Sequence, residues 1–359
     1  MRRKVAIIGT NGIPSKYGGF ETLVEYLVKY LSDSFELTVF CSSKTNTNKI
    51  DEFNGCKLRY IPLNANNWQS VPYDIISLYK SYKDYDKILI LGASGSIVAP
   101  LFRKHKDKFI FLFGGLDWDR SKWSFLTRKF LKLSESLGIK NSTHLISDNV
   151  GIQKYVSETY NRDSHLIPYG GDQVFKVEIS EIDEKKYKFL KSDYAFSVAR
   201  IQPDNNITLL LESFNEESNM PFVLVGNWKS STFGINTKNK YKDKPNLILL
   251  DAIYEHRELN LLRSNCKVYL HGHSAGGTNP ALVEAMNLGL PIFAYDCIFN
   301  KHTTNFKAEY FGDSFDLKTK LAQISDEELK INKNNMLLIA NNLYKWEYIA
   351  NKYSELFNK

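Results

Sequence analysis

Short runs of uninterrupted apolar residues alternate along this chain with stretches whose apolar positions recur every three or four residues. Lys4–Gly9 (KVAIIG) is the first run, and it predicts a buried strand. Phe20, Leu23, Val24, Leu27 and Leu31 follow at helical spacing. Further strands are predicted at Leu37–Cys41, Leu58–Ile61, Lys87–Gly92, Phe109–Phe113 and His144–Ile146. Helices are predicted at Ile75–Tyr82 and Trp123–Leu137, the latter with Trp123, Leu126, Phe130, Leu133 and Leu137 on one stripe. Strands that are apolar throughout, separated by helices, imply a parallel sheet covered on both faces.

The pattern then restarts. Ala195–Ala199, Phe222–Gly226, Leu247–Leu250, Val268–Leu270 and Ile292–Ala294 predict a second sheet, with helices at Ile207–Glu216, His256–Ser264 and Ala281–Leu288. The charged stretch Lys176 to Asp193 reads as a linker region, and Lys229 to Pro245 as a mobile basic loop. The tail from Asp326 to Leu356 reads as helical. A chain of 359 residues suits two domains. The expected division is 1–168, 169–340 and a C-terminal helical segment, 341–359, returning to the first domain. The fold class is α/β, with two Rossmann-like doubly wound domains facing a cleft, and ligands at the carboxyl ends of the strands.

Composition narrows the chemistry. A hydrophobic content of 43% is ordinary for a globular enzyme, and 21 Tyr with 22 Phe supply rings for packing or sugar stacking. Cys41, Cys56, Cys266 and Cys297 are dispersed and read as buried thiols in a reducing cytosol. No secretory leader and no membrane span is expected, since no apolar run approaches about 18 residues. The net charge of +7 is concentrated at 101–140, where ten Lys and Arg face four acids. That excess is either a solvated face or a surface for anionic lipid headgroups. Nucleic acid is not expected, because no recognition motif accompanies the charge.

The most informative segment is His271 to Met286, HGHSAGGTNPALVEAM. A strand runs into small residues, and a helix opens with Asn279 as cap and Pro280 as first helical residue. Such a turn aims backbone N–H groups and a positive helix end at an anion. Glu284 lies about one turn inside, with its side chain leaning back toward the turn. Phosphate-binding amides beside a carboxylate for sugar hydroxyls suit a nucleotide sugar; an ordinary strand–turn–helix is the plain alternative. The first strand ends in a glycine-rich segment, Gly9 to Glu21, that lacks the dinucleotide pattern, and no acid follows the second strand. A dehydrogenase is therefore poorly supported. Gly18 and Gly19 open the first helix and offer amides to a phosphate or sugar. Asp117-Trp118-Asp119 spells a D-x-D metal signature, but the two-sheet pattern is wrong for the fold that uses it.

Six segments together resemble one family: GIPSKYGGFET (12–22), GLDWDRSKW (115–123), SDNVGIQKY (147–155), IPYGGD (167–172), ARIQPDNNI (199–207) and HGHSAGGTNPALVEAM (271–286). They are similar to the retaining family-4 glycosyltransferases of the GT-B fold, and most to the bacterial subgroup of polysaccharide rhamnosyltransferases. The resemblance implies that Arg200 grips the donor diphosphate and that Glu284 holds the nucleotide ribose. Where the wider family has a first glutamate and a lysine, this chain has Gly276 and Asn205. The amides of Gly276, Gly277 and Thr278 with the Asn279–Pro280 helix start are then expected to replace part of the missing positive charge.

The expected donor-side residues are Gly18, Gly19, Arg200, Asn205, Asn227, His271, Gly276, Gly277, Thr278, Asn279 and Glu284. On the acceptor side are Phe20, Glu21, Asp117 and Trp118. Asp117 is the candidate for orienting or deprotonating the acceptor hydroxyl, and Asp117, Arg200 and Glu284 form the catalytic set. No metal and no cofactor is expected. The implied reaction transfers L-rhamnose from dTDP-rhamnose to a lipid-diphosphate-linked saccharide in bacterial cell-surface polysaccharide synthesis. The protein would lie at the inner face of the cytoplasmic membrane, with Trp118, Trp123, Arg128, Lys129 and Lys132 against anionic lipid. A UDP-hexose donor and a catalytically silent nucleotide-sugar-binding partner are the alternatives.

Overall fold

The computed structural model describes residues 2–14, 18–119, 123–214 and 218–359, apart from the side chains of Phe113 and Asp117. The chain forms two compact units, residues 1–169 with 346–359, and residues 170–345.

The first unit is built on eight strands: β1 Lys4–Ile8, β2 Glu36–Ser42, β3 Glu52–Phe53, β4 Cys56–Ile61, β5 Lys87–Leu91, β6 Phe109–Phe113, β7 His144–Ser147 and β8 His165–Leu166. They lie in the order β3-β4-β2-β1-β5-β6-β7-β8. All neighbours are parallel except the β3–β4 edge pair. β1 is central, with Val5 opposite Leu37 on one side and Lys87 on the other. Val5, Ala6 and Ile7 are fully buried, which is why KVAII has no polar face. The helix Gly19–Leu31 buries Leu23, Val24, Leu27, Val28 and Leu31. Its outer side is covered by the last helix, Trp346–Asn358, through Tyr26 stacked on Trp346 at 4.6 Å. Phe35 meets Phe357 edge-on at 5.5 Å, and Arg3 donates to the Phe357 carbonyl at 3.0 Å.

The second unit has six parallel strands: β9 Ala195–Val198, β10 Phe222–Val225, β11 Leu247–Leu250, β12 Val268–His271, β13 Ile292–Tyr295 and β14 Glu309–Phe311. Their order is β11-β10-β9-β12-β13-β14. Chain order therefore reverses between β9 and β12, the place where doubly wound sheets part their loops to admit a ligand. The core on one face joins Ile207, Leu210 and Leu211 to Phe222, Trp228, Leu270 and Phe293.

Two segments differ from expectation. Residues 176–193 are not a linker; they belong to the second unit, and the units change at 169/170. The helix Glu181–Lys186 lies there, closed by the reciprocal Ser180–Asp183 capping box. Asp183 also pairs with Arg257 at 3.2 Å. Residues 229–245 are not a loop, because Ser231 caps a helix at Thr232–Tyr241. Tyr241 is buried and donates to Glu212 at 2.8 Å, and Lys238 pairs with Asp251 at 2.8 Å. The helix Ile207–Glu212 is shorter than expected, and the residues 215–216 assigned to its end lie outside the described residues.

Candidate functional site

At the β9/β12 crossing the two loops are stitched together. Asn205 donates to the Arg200 carbonyl at 2.7 Å, and its Oδ1 lies 2.7 Å from His273 Nδ1. Asn206 donates to the Gly272 carbonyl at 2.9 Å. The Ser274 amide and hydroxyl both donate to the Asp204 carbonyl at 3.0 Å. A Cβ on Gly272 would overlap the Asn205 carbonyl, so the close approach requires glycine. Asn205 thus braces the loop on which Arg200 stands. Arg200 itself is exposed, and among the described residues its guanidinium makes no hydrogen bond or ion pair.

The turn after β12 runs through Gly276, whose φ of 111° suits glycine alone. Gly277 follows, then the buried Thr278. Asn279 accepts from the Ala281 amide at 3.0 Å, and Pro280 opens the helix Pro280–Asn287. The cap engages one amide of the first turn, and the helix presents its positive end here. His271 is buried, and burial with His273 nearby pushes its imidazole down to about 3, so it is neutral at pH 7. No hydrogen-bond partner reaches its Nε2 among the described residues. Asn227, at the end of β10, is exposed and accepts from the Lys229 amide at 3.2 Å.

Glu284 is held from two sides. Arg263 Nη1 donates to Oε2, and Gln173 Nε2 donates to Oε1 at 2.6 Å. Neither partner was anticipated. Arg263 occupies the buried side of His256–Ser264, where an arginine in a charged helix reads as a surface residue. Gln173 is 111 positions from Glu284 and carries no motif.

In the first unit, Glu21 closes the turn after β1. Its Oε1 accepts from Thr10 Oγ1 at 3.0 Å and from Asn11 N and Nδ2 at 2.8 and 3.0 Å. Gly18, with φ of 129°, leaves no room for a Cβ above that carboxylate, and Gly19 begins the helix. Phe20 lies over the ends of β5 and β6; a Cβ on Gly114 would stand 2.7 Å from its ring, so glycine there admits the aromatic. Trp118 sits in the turn Asp117–Asp119 and donates from Nε1 to Tyr155 Oη at 3.2 Å. The Asp117 carboxylate lies outside the described residues.

Lys132, expected at a lipid surface, turns inward. It bonds Tyr155 Oη and stands 4.2 Å from the Trp118 ring centre and 4.5 Å from that of Tyr155. Glu135 accepts from Tyr155 and Tyr160 at 2.6 and 2.7 Å. Burial raises the Glu135 carboxyl and lowers the Lys132 ammonium. The outward residues of Phe125–Lys140 are instead Phe125, Leu126, Lys129, Leu133 and Lys140.

Residues 178–341 match the family model for glycosyl transferases group 1, and residues 2–172 match a domain of unknown function, DUF1972. The second unit is thus similar, over nearly its whole length, to the glycosyl transferases of group 1. Among solved structures, sucrose-phosphate synthase from Thermosynechococcus elongatus superposes with a TM-score of 0.81 at 16% identity, over 99% of this chain and 98% of that one. Anabaena HepE in complex with UDP and glucose gives 0.77 at 14% identity, over 99% and 100%. A glycosyltransferase from Rickettsia africae gives 0.72 at 12% identity, over 99% and 98%. These likenesses establish the two-domain α/β GT-B fold. No curated protein sequence matches the chain.

Proposed function

We propose that this protein is a group 1 glycosyltransferase that retains configuration at the transferred sugar and moves L-rhamnose from dTDP-rhamnose to a lipid-diphosphate-linked saccharide. The observation that carries the reading is the exposed Arg200 guanidinium, on a braced loop beside the glycine turn and helix start at 276–281. A diphosphate leaving group gains negative charge as its oxygen parts from the anomeric carbon. An arginine and peptide N–H groups stabilise that charge through charge-assisted hydrogen bonds. Glu284 takes the pentose, and Asp117 orients the attacking hydroxyl in the first unit. HepE is crystallised with UDP and with UDP-glucose, which supports a nucleotide-sugar donor.

For the acceptor end, Phe125, Leu126 and Leu133 are exposed on one side of their helix, with Lys129 between them, and Leu101 is exposed on the segment Ser96–Lys108 that packs against that helix. Apolar side chains flanked by cations suit the headgroup region of an anionic bilayer. Among the described residues no helix is long and apolar enough to cross a membrane.

The test is a product assay of several donors against several lipid-linked acceptors, with the new linkage read by NMR. Rhamnose transfer with retained configuration supports the reading, and inversion or no transfer defeats it. A UDP-hexose donor is the second reading, favoured by the HepE complexes, and the same assay separates the two.

A further inference from the structure

The two oxygens of Glu284 have different neighbours. Oε2 is bound by Arg263, which is 2% exposed and steadied by its second Nη donating to Asn260 at 2.9 Å. Oε1 accepts the Gln173 amide at 2.6 Å. The Glu284 side chain is 20% exposed, so little of the carboxylate faces outward.

Gln173 is held there by its backbone. Two residues earlier the chain presses on the helix Pro280–Asn287 so closely that a Cβ on Gly171 would stand 2.6 Å from the Val283 carbonyl. The Gly171 amide donates to the Tyr344 carbonyl at 2.9 Å. The glutamine therefore starts from a fixed point and needs little ordering to reach the carboxylate.

A ribose presents two adjacent hydroxyls, and each donates one hydrogen bond when a carboxylate clasps both. The Gln173 Nε2–H is a donor of the same kind, already on the oxygen that a second hydroxyl would use. A 2′-deoxyribose offers one hydroxyl to the remaining approach and leaves the glutamine bond intact. A ribose must bring its second hydroxyl to an oxygen that the amide already crowds, or displace the amide, and the weakened bond costs affinity.

On the reading that Glu284 faces the pentose, we propose that Gln173 stands in for the 2′-hydroxyl and selects 2′-deoxyribonucleoside diphosphate sugars over ribonucleoside ones. Arg263 is the positioning residue that turns the carboxylate to receive the single hydroxyl.

UDP and dUDP differ only at the 2′ position, so calorimetric titration of the full-length protein with each isolates the effect. Wild type is expected to bind dUDP up to about tenfold tighter than UDP, the limit set by losing one hydrogen bond in full. Gln173→Ala should bring the two within about threefold, mainly by improving UDP. A wild-type ratio near one, or in favour of UDP, overturns the proposal without any variant. An unchanged ratio in Gln173→Ala, at an unchanged melting temperature, overturns it too. Glu284→Gln separates the inference from its footing. If it leaves both affinities alone, the pentose is not at Glu284 and the site reading falls as well. If it weakens both while Gln173→Ala changes nothing, only the role of Gln173 is lost.

Discussion

Arg200 and Arg263 carry the same charge in opposite surroundings, and their removal should be felt differently. Arg200 is exposed, so Arg200→Ala should lower kcat/KM by about 100-fold or more, two charge-assisted bonds being lost, while thermal melting hardly moves. Steady-state kinetics with a melting curve checks both halves. Arg263 is buried against Glu284, so Arg263→Met should destabilise the fold by about 3–5 kcal/mol in denaturant titration. Asp74 gives a pH signature. Burial raises its carboxyl to about 7, although Ser94 and the Gly95 amide donate to it. The folded state therefore holds this proton more tightly than the unfolded one, whose pKa is near the ordinary carboxylate value of 3.8. Its contribution is most favourable below about pH 4 and is lost as pH rises toward 7. Asp74→Asn should raise the melting temperature more at pH 8 than at pH 5; an equal change at both excludes the effect. Arg200 was legible because it directly follows an apolar strand. Arg263, Gln173 and Asp74 were not, because burial and distant partners are invisible to local pattern.

Elements with a one-sided apolar pattern or a cap were readable, and those held by remote contacts were not. Pro280–Asn287 announced itself through Asn279 and Pro280. Asn279→Ala should cost about 1 kcal/mol of stability, and it should also weaken nucleotide binding by loosening the turn at 276–278. Paired denaturation and titration measurements test this, and a stability loss without a binding loss would separate cap from site. The helix Thr232–Tyr241 has few apolar residues and is held by Ser231, Glu212 and Asp251, so the sequence read as loop. In Phe125–Lys140 the apolar stripe misled about burial: Leu126 and Leu133 face outward, while Ser134, Glu135, Gly138 and Ile139 face inward. Small residues on the inner side let the helix sit close, as Gly138 does over Phe111 and Ser96. If those leucines meet lipid, Leu126→Ser with Leu133→Ser should reduce sedimentation with anionic vesicles while transfer to a water-soluble acceptor persists.

At the scale of the molecule, both sheets were legible as repeated apolar runs, and the division expected at 168/169 lies one residue from the observed change of units at 169/170. The stretch 176–193, expected as the linker, lies instead wholly inside the second unit. The chain passes between the units a second time at 345/346, and its last helix buries Trp346 against Tyr26. Trp346→Ala should cost the first unit about 3–5 kcal/mol. Nucleotide affinity of the second unit should be little changed, as calorimetry beside thermal denaturation would reveal. The same helix has a practical use. Of two polypeptides broken at 169/170, only the shorter would be incomplete, and the longer one carries the plug that it lacks. Co-expressed, they should recognise each other and copurify, a built-in split reporter whose recovery depends on one indole.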